Sequence, residues 1–168
     1  TSNLGTTSVD VAWTENAIQP QNGYEYYYST SNTAPLPATV PTGTTATGIT
    51  TASLTSLMPA TTYYMWVRGN CGASDKSIWA GPITFTTLCV DVAAYVENFD
   101  TTPTGTGNLP VCWSKVGTSN NVYVNTGSNS PMSPANRLYM NISATTTAYA
   151  VMPPVSNLQA NTHRLKFK

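Results

Sequence analysis

Apolar residues in the first half of the chain recur at every second position, in short runs separated by turn-forming residues. In residues 8–13, Val9, Val11 and Trp13 alternate with Asp10 and Ala12, the period expected of a half-buried strand. After a turn at QPQNG, Tyr24, Tyr26 and Tyr28 share one face of the next run, with Glu25 and Tyr27 on the other. Residues 32–48 are rich in Pro, Thr and Gly and read as loop with at most a short edge strand. TASLTSL predicts a further strand. TYYMWVRGN puts Tyr63, Met65 and Val67 on one face and Tyr64, Trp66 and Arg68 on the other. PITFTT closes the set, with Ile83 and Phe85 directed inward. Short strands with turns at this spacing predict a sandwich.

Composition supports an all-β chain. Of 168 residues, 40% are apolar, which suffices for a core, and only 8% are charged. Thr and aromatic residues favour strands, Asn, Gly and Pro favour turns, and no run of strong helix formers occurs. Lys plus Arg equals Asp plus Glu at seven each. A net charge of zero leaves no electrostatic footprint for nucleic acid or an anionic membrane. No apolar stretch is long enough for a membrane span, and the first residues carry no signal-peptide pattern. Low charge with abundant Thr, Ser and Asn is typical of exported surface proteins.

Residues 1–88 resemble a fibronectin type III domain. Trp13 matches the core Trp of that family's second strand, and the Tyr24/Tyr26/Tyr28 run matches its third. Leu57-Met58-Pro59-Ala60-Thr61-Thr62-Tyr63 matches the L-x-P-x-T-x-Y signature before the sixth strand. The resemblance makes Tyr63 a tyrosine corner, its hydroxyl bonded to backbone a few residues upstream. Little precedes Val9, so the first strand is expected to be short or cut, in a chain that starts inside a longer protein.

Composition shifts after Thr87. LCVDVAAYVENFDTTPTGTGNLPVCWSKVG contains an acidic-aromatic run read as a strand, a Gly/Thr/Pro loop and a Pro-x-Cys-Trp segment. Residues 89–168 resemble the opening part of the jelly-roll modules of the MAM and cleaved-adhesin type. In secreted proteins of Bacteroidetes-type bacteria these follow fibronectin type III repeats. RLYMN, MPPVSNL and HRLKFK continue the pattern, and about half of such a module is expected here, truncated at LKFK. The fold expected overall is a fibronectin type III sandwich plus a partial jelly-roll β-sandwich.

Three cysteines allow one disulfide and one remaining thiol. The resemblance pairs Cys89 with Cys112 in an oxidising compartment. Cys71 sits at the far end of its strand, and the returning strand carries Cys89 to the opposite end of the sandwich. That separation fits poorly with a bridge, which leaves Cys71 free or partnered outside this chain.

By alternation Tyr27, Tyr64 and Trp66 point away from the core together. They could stack sugar rings as an exposed platform, in which case Trp66→Ala abolishes glycan binding with little change in melting. The preferred reading is architectural: cross-strand aromatic pairs or a contact with the next module. Glu97 and Asp100 concentrate oxygen in an acid-poor chain. The resemblance implies a structural calcium near them, supplied with six to eight oxygens; the bland alternative is solvated acids at a strand end. Asp100-Thr101-Thr102 resembles the short O-glycosylation acceptor of the same bacterial group, with Thr101 as acceptor, and Asn141-Ile142-Ser143 matches an N-glycosylation sequon. Arg68-Gly69-Asn70 lacks the acid of an R-G-D tripeptide.

No nucleophile, metal-hydrolase or phosphate-loop motif occurs, and the only histidine is His163. The expectation is therefore a non-catalytic part of a large secreted or surface-displayed protein, for spacing, adhesion or glycan binding, exported by the type IX route that the resemblance implies. Its expected partners are neighbouring domains of the same polypeptide, surface glycans or the secretion machinery. The alternative is accessory modules of a secreted glycoside hydrolase or peptidase whose catalytic domain lies outside these residues.

Overall fold

The computed structural model describes residues 1–15, 18–119, 121–126 and 136–156. The chain divides into two compact units, Thr1–Leu88 and Cys89–Lys168. Among the described residues every regular element is a strand, so the fold is all-β. No helix among them is long and apolar enough to cross a membrane.

The first unit contains β1 (Val9–Ala12), β2 (Tyr24–Ser29), β3 (Gly43–Thr44), β4 (Thr51–Leu54), β5 (Thr62–Gly69) and β6 (Ala80–Thr86). β1 pairs antiparallel with β4, and Ser2 adds a single bridge to Asp10. The second sheet runs β3-β2-β5-β6. The Pro- and Thr-rich stretch before β4 supplies only the two-residue β3, as its composition predicts.

The alternating positions face each other across the sandwich. Val9 and Val11 of β1 and Ala52 and Leu54 of β4 meet Tyr24, Tyr63, Met65, Val67 and Phe85 in one buried cluster. Met65 at its centre is 0% exposed. Burying an apolar side chain of this size contributes about 1.5–3 kcal/mol. Trp13 packs on the margin, its ring edge-on to Tyr24 at 5.6 Å. The tyrosine corner is present: the Tyr63 hydroxyl accepts the Met58 N–H at 2.9 Å. Thr87 closes the same corner, donating to the Met58 carbonyl at 2.6 Å and accepting the Thr61 N–H at 3.0 Å.

The second unit contains β7 (Ser114–Gly117), β8 (Val122–Thr126), β9 (Asn136–Met140) and β10 (Ala148–Val151). β7 pairs antiparallel with β10, and β8 with β9. Val122 and Val124 are its most deeply buried residues. Cys89 and Cys112 form a disulfide with Cα atoms 5.9 Å apart.

The strand expected over the acidic-aromatic run does not form. The segment is irregular, with Val92 making a lone parallel bridge to Val155. Local side-chain hydrogen bonds compete with a ladder there: Glu97 Oε1 accepts the Phe99 N–H at 2.6 Å and Asn98 Oδ1 accepts the Asp100 N–H at 3.2 Å. Phe99 takes a φ of 65°, which no strand allows. His163 and the HRLKFK segment lie outside the described residues.

Candidate functional site

The outer face of the four-stranded sheet gathers most of the first unit's unusual chemistry. Registry across β2 and β5 sets Glu25 opposite Arg68, Tyr27 opposite Trp66 and Ser29 opposite Tyr64. Tyr27, Trp66 and Tyr64 are therefore brought together, with ring centroids 6.2 Å and 6.5 Å from Trp66.

They do not form an exposed platform. Trp66 is only 2% exposed, and Tyr27 and Tyr64 are half-buried beside it. The alternation correctly assigned Trp66 to the outer face, but that face is covered. At Gly81 the backbone runs against the indole with a φ of 136°, and a Cβ there would meet Met65 O at 2.8 Å and Trp66 Cδ1 at 3.1 Å. Only glycine combines that φ with such an approach. The β5–β6 register also shifts between Met65 and Val67.

Further along the same face lies an ionic cluster that alternation alone does not reveal. Glu25 and Arg68 are 4% and 5% exposed. Arg68 Nε donates to Glu25 Oε2 at 2.7 Å, and Nη2 reaches the same oxygen at 2.7 Å. The other carboxylate oxygen accepts Lys76 Nζ at 2.6 Å and Asn70 Nδ2 at 3.1 Å. Burial pushes the Glu25 carboxyl up, but the hydrogen bonds from Lys76 and Arg68, reinforced by both charges, outweigh it and hold the carboxyl below its ordinary 4.5.

Lys76 reaches this position because residues 70–77 fold back on themselves. Asn70 bridges Lys76, the Cys71 N–H donates to Asp75 O at 2.8 Å, and the Ser77 N–H donates to Gly69 O at 3.0 Å. The turn then delivers Trp79 over the guanidinium, whose Cζ lies 4.2 Å from the ring centroid. Trp79 Nε1 donates to Leu36 O at 3.1 Å and Arg68 Nη1 to Pro37 O at 2.6 Å. One buried carboxylate thus fastens two strands and the 70–79 loop, and its arginine fastens the 31–37 loop as well. A buried pair of this kind is costly to break from one side, by roughly 3–5 kcal/mol, because the other charge is stranded. The arrangement holds a rigid surface; it presents no nucleophile paired with a base.

Glu25, Lys76 and Trp79 were not singled out from the sequence. The available signal was two opposite charges at outward positions of neighbouring strands, in a chain with few charges; their register depends on tertiary pairing. Cys71 is exposed and outside any disulfide.

In the second unit, Glu97 serves the chain itself. Besides the Phe99 N–H, it accepts the Tyr95 hydroxyl at 2.9 Å, which in turn accepts Trp113 Nε1 at 2.7 Å. Burial raises the Tyr95 pKa, the Trp113 hydrogen bond opposes the rise, and Glu97 adds to it. Each Glu97 oxygen thus already accepts one hydrogen bond from its own chain. Around Asp100 the surroundings differ. Asp100 Oδ1 accepts the Asn136 N–H at 3.4 Å. The carbonyl oxygens of Phe99, Asp100 and Thr102 converge on Asn136 Nδ2 at 3.2, 3.4 and 3.2 Å. Among the described residues no three His, Cys, Asp or Glu side chains gather in one place. Thr101 is exposed on a turn, and Thr102 is buried.

An all-β chain opening with a sandwich closed by a tyrosine corner defines a class of extracellular-type β module. Residues 1–86 match the fibronectin type III domain, and the chain belongs to that family. It is also similar to Endoglucanase B of Cellulomonas fimi, 31% identical over 128 residues, covering 67% of this chain and 12% of that protein. A solved, computationally redesigned β-sandwich protein is 26% identical, with a TM-score of 0.42, covering 54% of this chain and 89% of its own.

Proposed function

We propose that this chain is a non-catalytic part of a large secreted multidomain protein, in which the fibronectin type III unit spaces and presents its neighbours. The observation that carries the reading is the likeness to Endoglucanase B, which covers more of this chain than the Thr1–Leu88 unit can account for. It favours accessory modules of a secreted polysaccharide hydrolase over a free-standing adhesin, and the disulfide fits an oxidising compartment. Peptide mass spectrometry of the intact protein from its source tests this: peptides of a glycoside hydrolase domain support it. Further repeats ending in a sorting domain, without a hydrolase, return the protein to surface adhesion and the type IX route.

The second unit is proposed to be the opening part of a MAM or cleaved-adhesin-like jelly roll, an assignment its antiparallel pairs and the Cys89–Cys112 staple support. A structural calcium in it fits Asp100 better than Glu97. A half-turn of the Asn136 amide would put its oxygen among the three turn carbonyls and the Asp100 carboxylate, giving five oxygens toward the six to eight that calcium takes. Calcium raises the melting temperature of the second unit on this reading and chelation lowers it; insensitivity to both removes the site. Direct glycan stacking has little to act on in this face, because the ring best suited to it, Trp66, is covered.

A further inference from the structure

The ionic cluster of the first unit holds two cations on one carboxylate, and both cations line an open groove of about 470 Å³. The groove runs between the 31–37 and 70–79 loops. Its walls are Pro35, Pro37, Ile78 and Trp79, and no acid lines it. Asp75, the neighbouring acid, lines a second groove that shares Arg68, Lys76 and Ser77 with this one.

A guanidinium has five N–H donors and an ammonium three. Arg68 uses three toward Glu25 and Pro37, and Lys76 uses one toward Glu25. Arg68, 5% exposed beneath Trp79, has its remaining donors buried, whereas among the described residues Lys76 keeps two donors on a side chain that is 29% exposed. A second anion would complete this set. Apart from two serines the rest of the wall is aliphatic or aromatic; Ile78 in it is 88% exposed, and Leu36, between the two lining prolines, is 73% exposed. Both leave apolar surface beside the cation for a partner's side chains. The only hydroxyls lining the groove are those of Ser74 and Ser77, and Ser77 already bonds Gly69 N and Ile78 O. A sugar needs more hydrogen-bonding partners than this wall offers.

We propose that the groove docks a short acidic segment of a partner protein, with one carboxylate on Lys76, backed by the buried charge of Arg68, and flanking aliphatic side chains on Trp79, Ile78 and the two prolines. Trp79 is suited to the contact because its indole N–H and its Arg68 stack fix the ring before anything binds. The inference concerns the first unit alone and stands whether or not a hydrolase is attached.

The test is a titration of the 15N-labelled full chain with an acetylated, amidated leucine–glutamate–leucine peptide and with its glutamine counterpart. The glutamate peptide is expected to shift the Trp79 indole and Ile78 amide signals saturably, with the glutamine peptide roughly tenfold weaker. Lys76→Gln should weaken the glutamate peptide by a similar factor with the Val9 and Val11 signals of the other sheet unmoved. Ile78→Ser, at an exposed position, should weaken both peptides. Equal binding of the two peptides, or no saturable shift, overturns the proposal. So does tighter binding of a galacturonate trisaccharide, which would assign the groove to acidic sugars.

Discussion

The two faces of β5 are both buried, and by different physics. Tyr63, Met65 and Val67 on the inner face are covered by the opposite sheet through apolar packing. Trp66 and Arg68 on the outer face are covered by a glycine backbone, a returning loop and a shared carboxylate. Alternation assigns a residue to a face; what lies over that face is decided by loops and charges far away in sequence. The inner face loses stability when volume is removed, and the outer face also when charge is removed. That difference can be measured.

The largest effect is expected at Trp66. Trp66→Ala should cost about 3–5 kcal/mol, the range for a buried large side chain and comparable to Met65→Ala at about 2–5 kcal/mol. Urea unfolding followed through first-unit amide signals of the full chain checks it. A loss below roughly 0.5 kcal/mol would make the outer face a free surface and restore the platform. Next comes the disulfide: replacing Cys89 and Cys112 together by Ser should destabilise the second unit by about 3 kcal/mol, given the sequence separation of 23. First-unit signals should melt as before, and a shared loss would mean the two units unfold together. Replacing the ionic pair sharpens the contrast between the faces. Arg68→Met with Glu25→Leu should cost less than the sum of the single variants, since each single change strands a partner. Additive losses would mean the pair is not coupled. The smallest effect belongs to the corner: Tyr63→Phe removes one hydrogen bond to Met58 and should cost about 1 kcal/mol, measured the same way.

The fold of the first unit was largely legible because its inward residues alternate without interruption. The corner motif also fixed where β5 begins. The outer face was legible only as a direction. Nothing local tells that Gly81 lies over Trp66 or that residues 70–77 return Lys76 to Glu25, because both depend on pairing across more than ten residues of chain. In the second unit, Glu97 and Asn98 lie in an acidic-aromatic run that reads as a strand, but their side chains bond their own backbone and turn the chain. The disulfide came from resemblance, and the charge of Asp100 was noticed without the three carbonyls that give it company.

The most direct measurement of the outer face is the stability gap between the native chain and Glu25→Gln as a function of pH. A carboxyl held below 4.5 in the folded state contributes stability that is fully present above the unfolded value and lost as pH falls through the lower, folded one. The gap should therefore be fully open near neutrality, begin to close below about pH 4.5, and be smallest once Glu25 is protonated in both states. A gap that is absent at neutral pH, or that stays constant down to acid, would show that this carboxylate does not hold the face closed.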